Sequence, residues 1–198
     1  MKKFTLLFFL IFTVISGIAQ KHEIGADLGF GKGFQLNDIK NLNLWKETNN
    51  CITPGLVYTF IPVKVFAFNT GFSYHWMGSD NTYLSFIEIP VGFDLLAGKK
   101  VQGLFGTGLK LKYLLSYHGD GFYGNMENTR GNYQLGMYLE AGIKLHADEH
   151  SSIIIKTVFD TDITALSWSS DPADSDVIFR SNIRYSDFIL SFGYRYRF

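Results

Sequence analysis

The chain contains one cysteine, Cys51, among 198 residues, so no disulfide can form within it. An exported protein built this way must take its stability from sheet closure and packing, not from covalent staples. Charge of one sign is also missing: Lys plus Arg and Asp plus Glu both number 18. No net field exists to gather nucleic acid or acidic ligands. Beyond the first fifteen residues there is no apolar run near the ~20 residues that a helical membrane span needs. Proline is scarce, with 4 residues, whereas Gly reaches 20, Phe 19 and Tyr 11. Aromatics and glycine in these amounts suit twisted β-structure better than a helical bundle. The length fits one domain.

What is present begins with a leader. Met1-Lys2-Lys3 is basic, Phe4 to Ile15 is almost wholly apolar, and Ser16-Gly17-Ile18-Ala19 supplies small residues before Gln20. This order predicts a secretory signal peptide over 1–19, with residues 20–198 as the mature chain. Loss of Lys2 and Lys3 leaves that mature chain with a small negative excess.

The remainder repeats strand, long polar loop, strand, short turn. Alternation with period two predicts eight strands: 22–31, 51–60, 65–76, 83–97, 101–115, 133–145, 153–160 and 187–198. Tight turns are expected at Ile61-Pro62-Val63-Lys64, Gly98-Lys99-Lys100 and Ala147-Asp148-Glu149-His150. The connections 32–49, 116–131 and 161–183 are long and polar, and 77–82 is intermediate. Strands of ~9–11 residues with loops that alternate in length are the pattern of an up-and-down transmembrane β-barrel. Hydrocarbon cannot satisfy a free strand edge, so the first strand must pair with the last.

One parity of these strands is apolar and aromatic, for example Phe66, Phe68 and Phe72, or Leu109, Leu111 and Tyr113. The other carries Asp27, Glu88, Asp94, Glu140, Asp160 and Asp187 with Lys110, Lys112, Lys144, Lys156, Arg195 and Arg197. Enclosed charges need partners, so these twelve are expected to form an interior charge network, with many glycines relieving crowding. A soluble sandwich or lipocalin-like barrel would have the same alternation with the apolar face turned inward. Lumen side chains this long leave no room for a wide solute pore.

Phe86-Ile87-Glu88-Ile89-Pro90-Val91, the glycine-rich stretch 103–108, the leader ending Ile18-Ala19-Gln20 and the closing Phe192 to Phe198 resemble the outer-membrane β-barrel domain family common in Bacteroidetes. That family includes PorT-like members among small OmpX- and OmpA-like barrels. Phe86 stands where the family usually has Leu. The resemblance covers nearly the whole mature chain. It implies the cell outer membrane and an envelope or protein-secretion role. It also implies that Phe198 serves the barrel-insertion machinery as a recognition signal. The partners so implied are outer-membrane lipid and lipopolysaccharide, that machinery, and an envelope or secretion-complex protein.

Candidate sites are sparse. His75, His118, His146 and His150 lie on different segments without ligand spacing, so neither a metal site nor a cofactor is expected. Ser116, His118, Asp120 and Glu127 supply the residue types of a lipid-modifying hydrolase, an alternative to a non-enzymatic barrel, as is a narrow channel. Glu88 is read as lumen filling or as a latch with Lys110, Lys112 or an arginine. Pro90 marks a bulge or bend, and Cys51 a passive small residue near the outer rim. The Asp171, Asp174 and Asp176 run lacks the order of a calcium loop. Trp45, Phe122, Tyr123 and Trp168, aromatics set in polar loops, are the candidate partner-binding residues.

Overall fold

The computed structural model describes residues 21–37, 48–79, 82–119, 133–170 and 179–198. The segment expected to be a leader lies outside them. Nine strands form: β1 (Lys21–Asn37), β2 (Thr48–Val63), β3 (Phe66–Ser79), β4 (Thr82–Gly98), β5 (Val101–Gly119), β6 (Tyr133–His146), β7 (Ser151–Asp162), β8 (Leu166–Ser170) and β9 (Phe179–Arg197). All pairings are antiparallel between neighbours, and β1 pairs with β9, closing an eight-staved barrel from β1 to β7 and β9. The short β8 pairs only with the start of β9, forming a hairpin at the end of the wall.

Most strands run further than alternation predicts. Backbone pairing continues where the side chains turn polar: β1 holds register with β9 as far as Asn37↔Ile183. A change of polarity marks where side-chain environment changes, whereas the ladder ends only where the backbone partners run out. The first turn is correspondingly shorter than expected, because Ile61, Pro62 and Val63 belong to β2 and only Lys64-Val65 turn. The segment 161–183, expected as loop, contains β8 and the start of β9.

Register fixes the barrel's dimensions. Followed from Glu23 through Thr59, Asn69, Gly92, Gly108, Tyr138, Asp160 and Asp187, the pairing returns to β1 at Gly33, ten residues along. An even offset is required, since an odd one would bring an inward residue against an outward one at the seam. Pro90 produces no bulge. It lies opposite Lys110, and the β3–β4 register resumes unshifted at Ser73↔Glu88 after a gap beside the proline, which has no N–H to give. The irregularity on this strand lies instead in its pairing with β5, between Ser85 and Phe86, where Leu115 of β5 is extra.

Apolar side chains face outward: Leu56 is 63% exposed, Val91 58% and Phe105 56%. At the short-turn end an aromatic chain runs from Phe198 over His22, Phe60, Phe68 and Phe66 to Phe93, with successive ring centroids 4.7–6.5 Å apart. At the opposite end Tyr113 and Tyr133 lie 5.0 Å apart, and Tyr83 is exposed. On β4 the ten residue steps from Tyr83 to Phe93, at ~3.3 Å rise and ~40° tilt, climb ~25 Å. That is the height of the apolar band of an outer-membrane barrel.

Two turn details are set by single residues. Gly98 has φ +123°, a left-handed conformation that only glycine adopts without strain. In the third turn, the Asp148 carboxylate accepts hydrogen bonds from the backbone N–H of His150 (2.7 Å) and Ser151 (2.6 Å). These bonds hold the fully exposed Asp148 carboxyl below its ordinary 3.8. A carboxyl lowered in the folded state stabilises the turn above about pH 4 and loses that contribution as pH falls through its folded value. Amide exchange at His150 and Ser151 is therefore expected to speed up, relative to the other turns, as pH drops below 4. An Asp148→Ala variant should show fast exchange at every pH. Equal protection of those amides at pH 3 and pH 6 would contradict this.

Candidate functional site

The lumen is the one place where the strands bring chemically reactive side chains together among the described residues. Period-two geometry alone puts them there: on every stave the residues flanking an outward Leu, Ile or Phe point to the axis. The filling is layered. At the short-turn end Ile61, Ala67, Leu96 and Leu104 form an apolar floor. Tyr138, Val158 and Ile189 form a middle layer. At the long-connection end Cys51, Met77, Leu84, Phe86, Leu114 and Tyr185 form an apolar cap. A cavity of about 100 Å³ remains, bordered by residues such as Thr53, Asn69, Asp94, Tyr138 and Lys156.

Charges occupy the levels between. Towards the floor, Arg195 grips Asp27 with two parallel bonds (2.5 and 2.9 Å), the fork geometry that suits guanidinium and carboxylate. Lys156 bridges Asp27 (3.2 Å) and Glu140 (2.9 Å). Asp94 accepts from Asn69 Nδ2, whose Oδ1 accepts from Thr59. Glu23 meets Lys144 and, at 2.7 Å, Arg197. Four acids here face four bases.

Towards the cap, Lys110 lies 2.7 Å from Asp160 and 3.2 Å from Glu88. Lys112 lies 2.9 Å from Asp162, 3.1 Å from Asp160 and 3.8 Å from Glu88. Asp187 is fully buried beside them, with His75 Nε2 3.6 Å from its Oδ2. Among the described residues this level holds four carboxyl groups and two ammonium groups.

All twelve charged residues expected inside point to the lumen. Glu88, Lys110, Lys112, Asp160 and Asp187 gather in the upper group, and the other seven in the lower. Alternation alone missed Glu23, Asp162, His75 and Cys51 as members of these groups. Glu23 and Asp162 share parity with Asp27 and Asp160, and reading that parity out to the strand ends would have included them. Parity also places Cys51 and His75 on the inner face. Their proximity to Asp187 depends on cross-strand register, which linear spacing does not reveal. Cys51 is 2% exposed and sits within the cap at the long-connection end.

Of the loop aromatics, Trp45, Phe122 and Tyr123 lie outside the described residues. Trp168 lies on β8, where only the backbone is described. Phe198 ends the wall, its N–H donating to the His22 carbonyl at 3.1 Å. Of the hydrolase candidates, Asp120 and Glu127 lie outside the described residues. Ser116 shares a 2.6 Å hydrogen bond with Ser85, and His118 lies on β5 opposite Tyr83, where only the backbone is described.

The outward apolar face and inward charge exclude the soluble barrel with an apolar interior. Compared with known proteins, the chain matches no family model and no curated sequence. Solved structures do resemble it. Neisserial surface protein A aligns at TM-score 0.55 and 12% identity, over 89% of this chain and 97% of that one. A major outer membrane protein from Thermus thermophilus aligns at 0.51 and 13%, over 91% and 100%. The outer membrane enzyme PagL aligns at 0.50 and 12%, over 84% and 97%. At such identities the likeness is one of fold: a small closed barrel that these outer-membrane proteins share. Because one of the three is an enzyme, the fold leaves catalysis undecided.

Proposed function

We propose that the chain is an integral outer-membrane barrel, exported by a leader over 1–19, that works at its rim and neither turns over a substrate nor conducts a solute. Its long connections face outward and dock a partner, in an adhesive, structural or envelope-complex role, while the short turns face the periplasm. Lipid and lipopolysaccharide surround the wall, and Phe198 serves insertion. The Bacteroidetes and PorT-like affinity belongs to this proposal and rests on the sequence resemblance.

The observation that carries the reading is the inverted polarity of the wall: a ~25 Å apolar belt between aromatic ends, around a lumen closed by charge pairs and by an apolar layer at each end. Side chains that fill a lumen in this way argue against a continuous aqueous path for an ion. Protein folded into vesicles is expected to float with the lipid and to run at different positions on gels with and without boiling. In planar bilayers it is expected to give no reproducible conductance steps. Protein that stays in the aqueous phase would defeat the membrane assignment, and steady unitary currents would restore the narrow channel. Unchanged lipid A and phospholipid in the presence of the folded protein is the expected result for a barrel without hydrolase activity.

A further inference from the structure

We propose that Cys51, His75 and Asp187, with Met77 beside them, form a buried site for a thiophilic transition-metal ion of the copper and zinc kind. The site lies inside the apolar cap at the long-connection end. Cys51 and Met77 are direct cross-strand partners on β2 and β3, and Asp187 of β9 lies opposite Gly33 of β1. The Cys51 Sγ, a ring nitrogen of His75 and a carboxylate oxygen of Asp187 all lie within 4.8 Å of one another. Cys51 Sγ lies 3.8 Å from Asp187 Oδ1, and His75 Nε2 lies 3.6 Å from the other oxygen, Oδ2. Bonds of ~2.0–2.3 Å around a tetrahedral ion give ligand–ligand edges of about 3.3–3.8 Å.

A second observation shows how closely the donors gather. A methyl group built on Gly33 would lie 2.5 Å from Asp187 Oδ1, 2.6 Å from Met77 Sδ and 2.9 Å from Cys51 Sγ. Asp187 Oδ1, Met77 Sδ and Cys51 Sγ therefore crowd together against the Cα of Gly33, with no side chain between them.

The donor atoms are also prepared for a ligand. His75 is 1% exposed and Asp187 fully buried, and neither His75 Nε2 nor Asp187 Oδ2 has a hydrogen-bond partner. His75 Nδ1 lies 3.0 Å from Thr53 Oγ1. With Nδ1 as the donor, the Nε2 lone pair points to the site, the outer-shell arrangement that fixes a metal-bound imidazole. Glu88, Asp160 and Asp162 each have a lysine within 4 Å, whereas Asp187 has none among the described residues, so a cation here would meet an acid not already paired with one. Thiolate and thioether with imidazole select copper(I) or zinc over magnesium or calcium. Binding forms the metal–sulfur bond and releases the Cys51 proton to solvent.

The test uses the full mature chain folded in detergent, reduced by a phosphine, and titrated with Co²⁺ as a spectroscopic probe. One Co²⁺ per chain is expected, with a near-ultraviolet thiolate-to-cobalt charge-transfer band that Zn²⁺ or Cu⁺ abolishes on displacing the probe. Cys51→Ser should remove the band, and His75→Gln should weaken binding at least tenfold. Gly33→Ala, whose methyl would press on Asp187, Met77 and Cys51, should weaken it as well. The gel-mobility shift on boiling reports folding for each variant. If His75→Gln does not fold, Cys51→Ser, a smaller change, carries the test. Met77→Leu separates the ions: loss of Cu⁺ affinity with Zn²⁺ unchanged assigns copper with the thioether as fourth ligand, whereas no effect on either ion assigns a three-residue zinc site. Absence of the charge-transfer band in folded protein with a free thiol would overturn the proposal. So would stoichiometric binding that Cys51→Ser leaves intact.

Discussion

Lys110→Met is expected to lower the free energy of unfolding by about 3–5 kcal/mol, the cost of removing one partner from a buried charge group. The ammonium lies within 3.2 Å of both Glu88 and Asp160, and both carboxylates are fully buried. Methionine fills the same space without the charge, so the loss measures electrostatics and not a cavity. It leaves Lys112 to serve Glu88, Asp160 and Asp162 alone. A compensating change separates pairing from simple loss of a contact. Asp160→Asn added to Lys110→Met removes one stranded carboxylate and is expected to recover a good part of the deficit, a non-additivity that neighbouring charges should show. Urea unfolding in phospholipid vesicles, followed by gel mobility, supplies both values. A Lys110→Met loss below about 1 kcal/mol would mean that solvent, not Lys110, neutralises this group.

The lower group should respond differently. Arg195 and Asp27 meet through a bidentate fork, and four bases balance four acids around them. In the upper group two lysines serve three of the four acids, so each cation there supports more than one neighbour. The largest stability effects are therefore expected among Lys110, Lys112 and Asp160.

This contrast was not legible in the sequence, although its ingredients were. Parity along each strand placed Lys110, Lys112, Glu88 and Asp160 on the inner face, because side-chain direction in a strand is a local property. Which acid meets which base depends on register, and register is a relation between strands. Leu115, the extra residue in β5, shifts pairing by one step above Phe86, and nothing in the local alternation announces it. The same reason hides the grouping of Cys51, Met77, His75 and Asp187, drawn from three strands and closed by the seam between β1 and β9. Strand ends were misjudged for a separate reason: side-chain polarity changes along β1 well before its backbone pairing with β9 stops at Asn37. Strand number and closure, in contrast, were legible from alternation, turn spacing and the intolerance of hydrocarbon for an unpaired edge.

The outward face offers a test in which position decides the outcome. Ile89 lies midway along β4 between Tyr83 and Leu95, and all three side chains are exposed. Ile89→Arg is expected to cost ~2–4 kcal/mol, the penalty for a cation at the centre of the hydrocarbon. Leu95→Arg, close to the short-turn end, is expected to cost only ~0–1 kcal/mol because the long side chain reaches the headgroups. In water both positions would be ordinary solvent-exposed sites and both changes nearly neutral. The immediate neighbour of Ile89 sharpens the comparison: Glu88 is fully buried, hydrogen-bonded to Lys110 and Ser73. One residue step thus separates a site where charge is required from one where it is expelled. Unfolding free energies from vesicles for Ile89→Arg, Val91→Arg and Leu95→Arg should fall in that order of penalty. A flat series would show that no hydrocarbon slab surrounds the wall, and the outer-membrane reading would then fail with it.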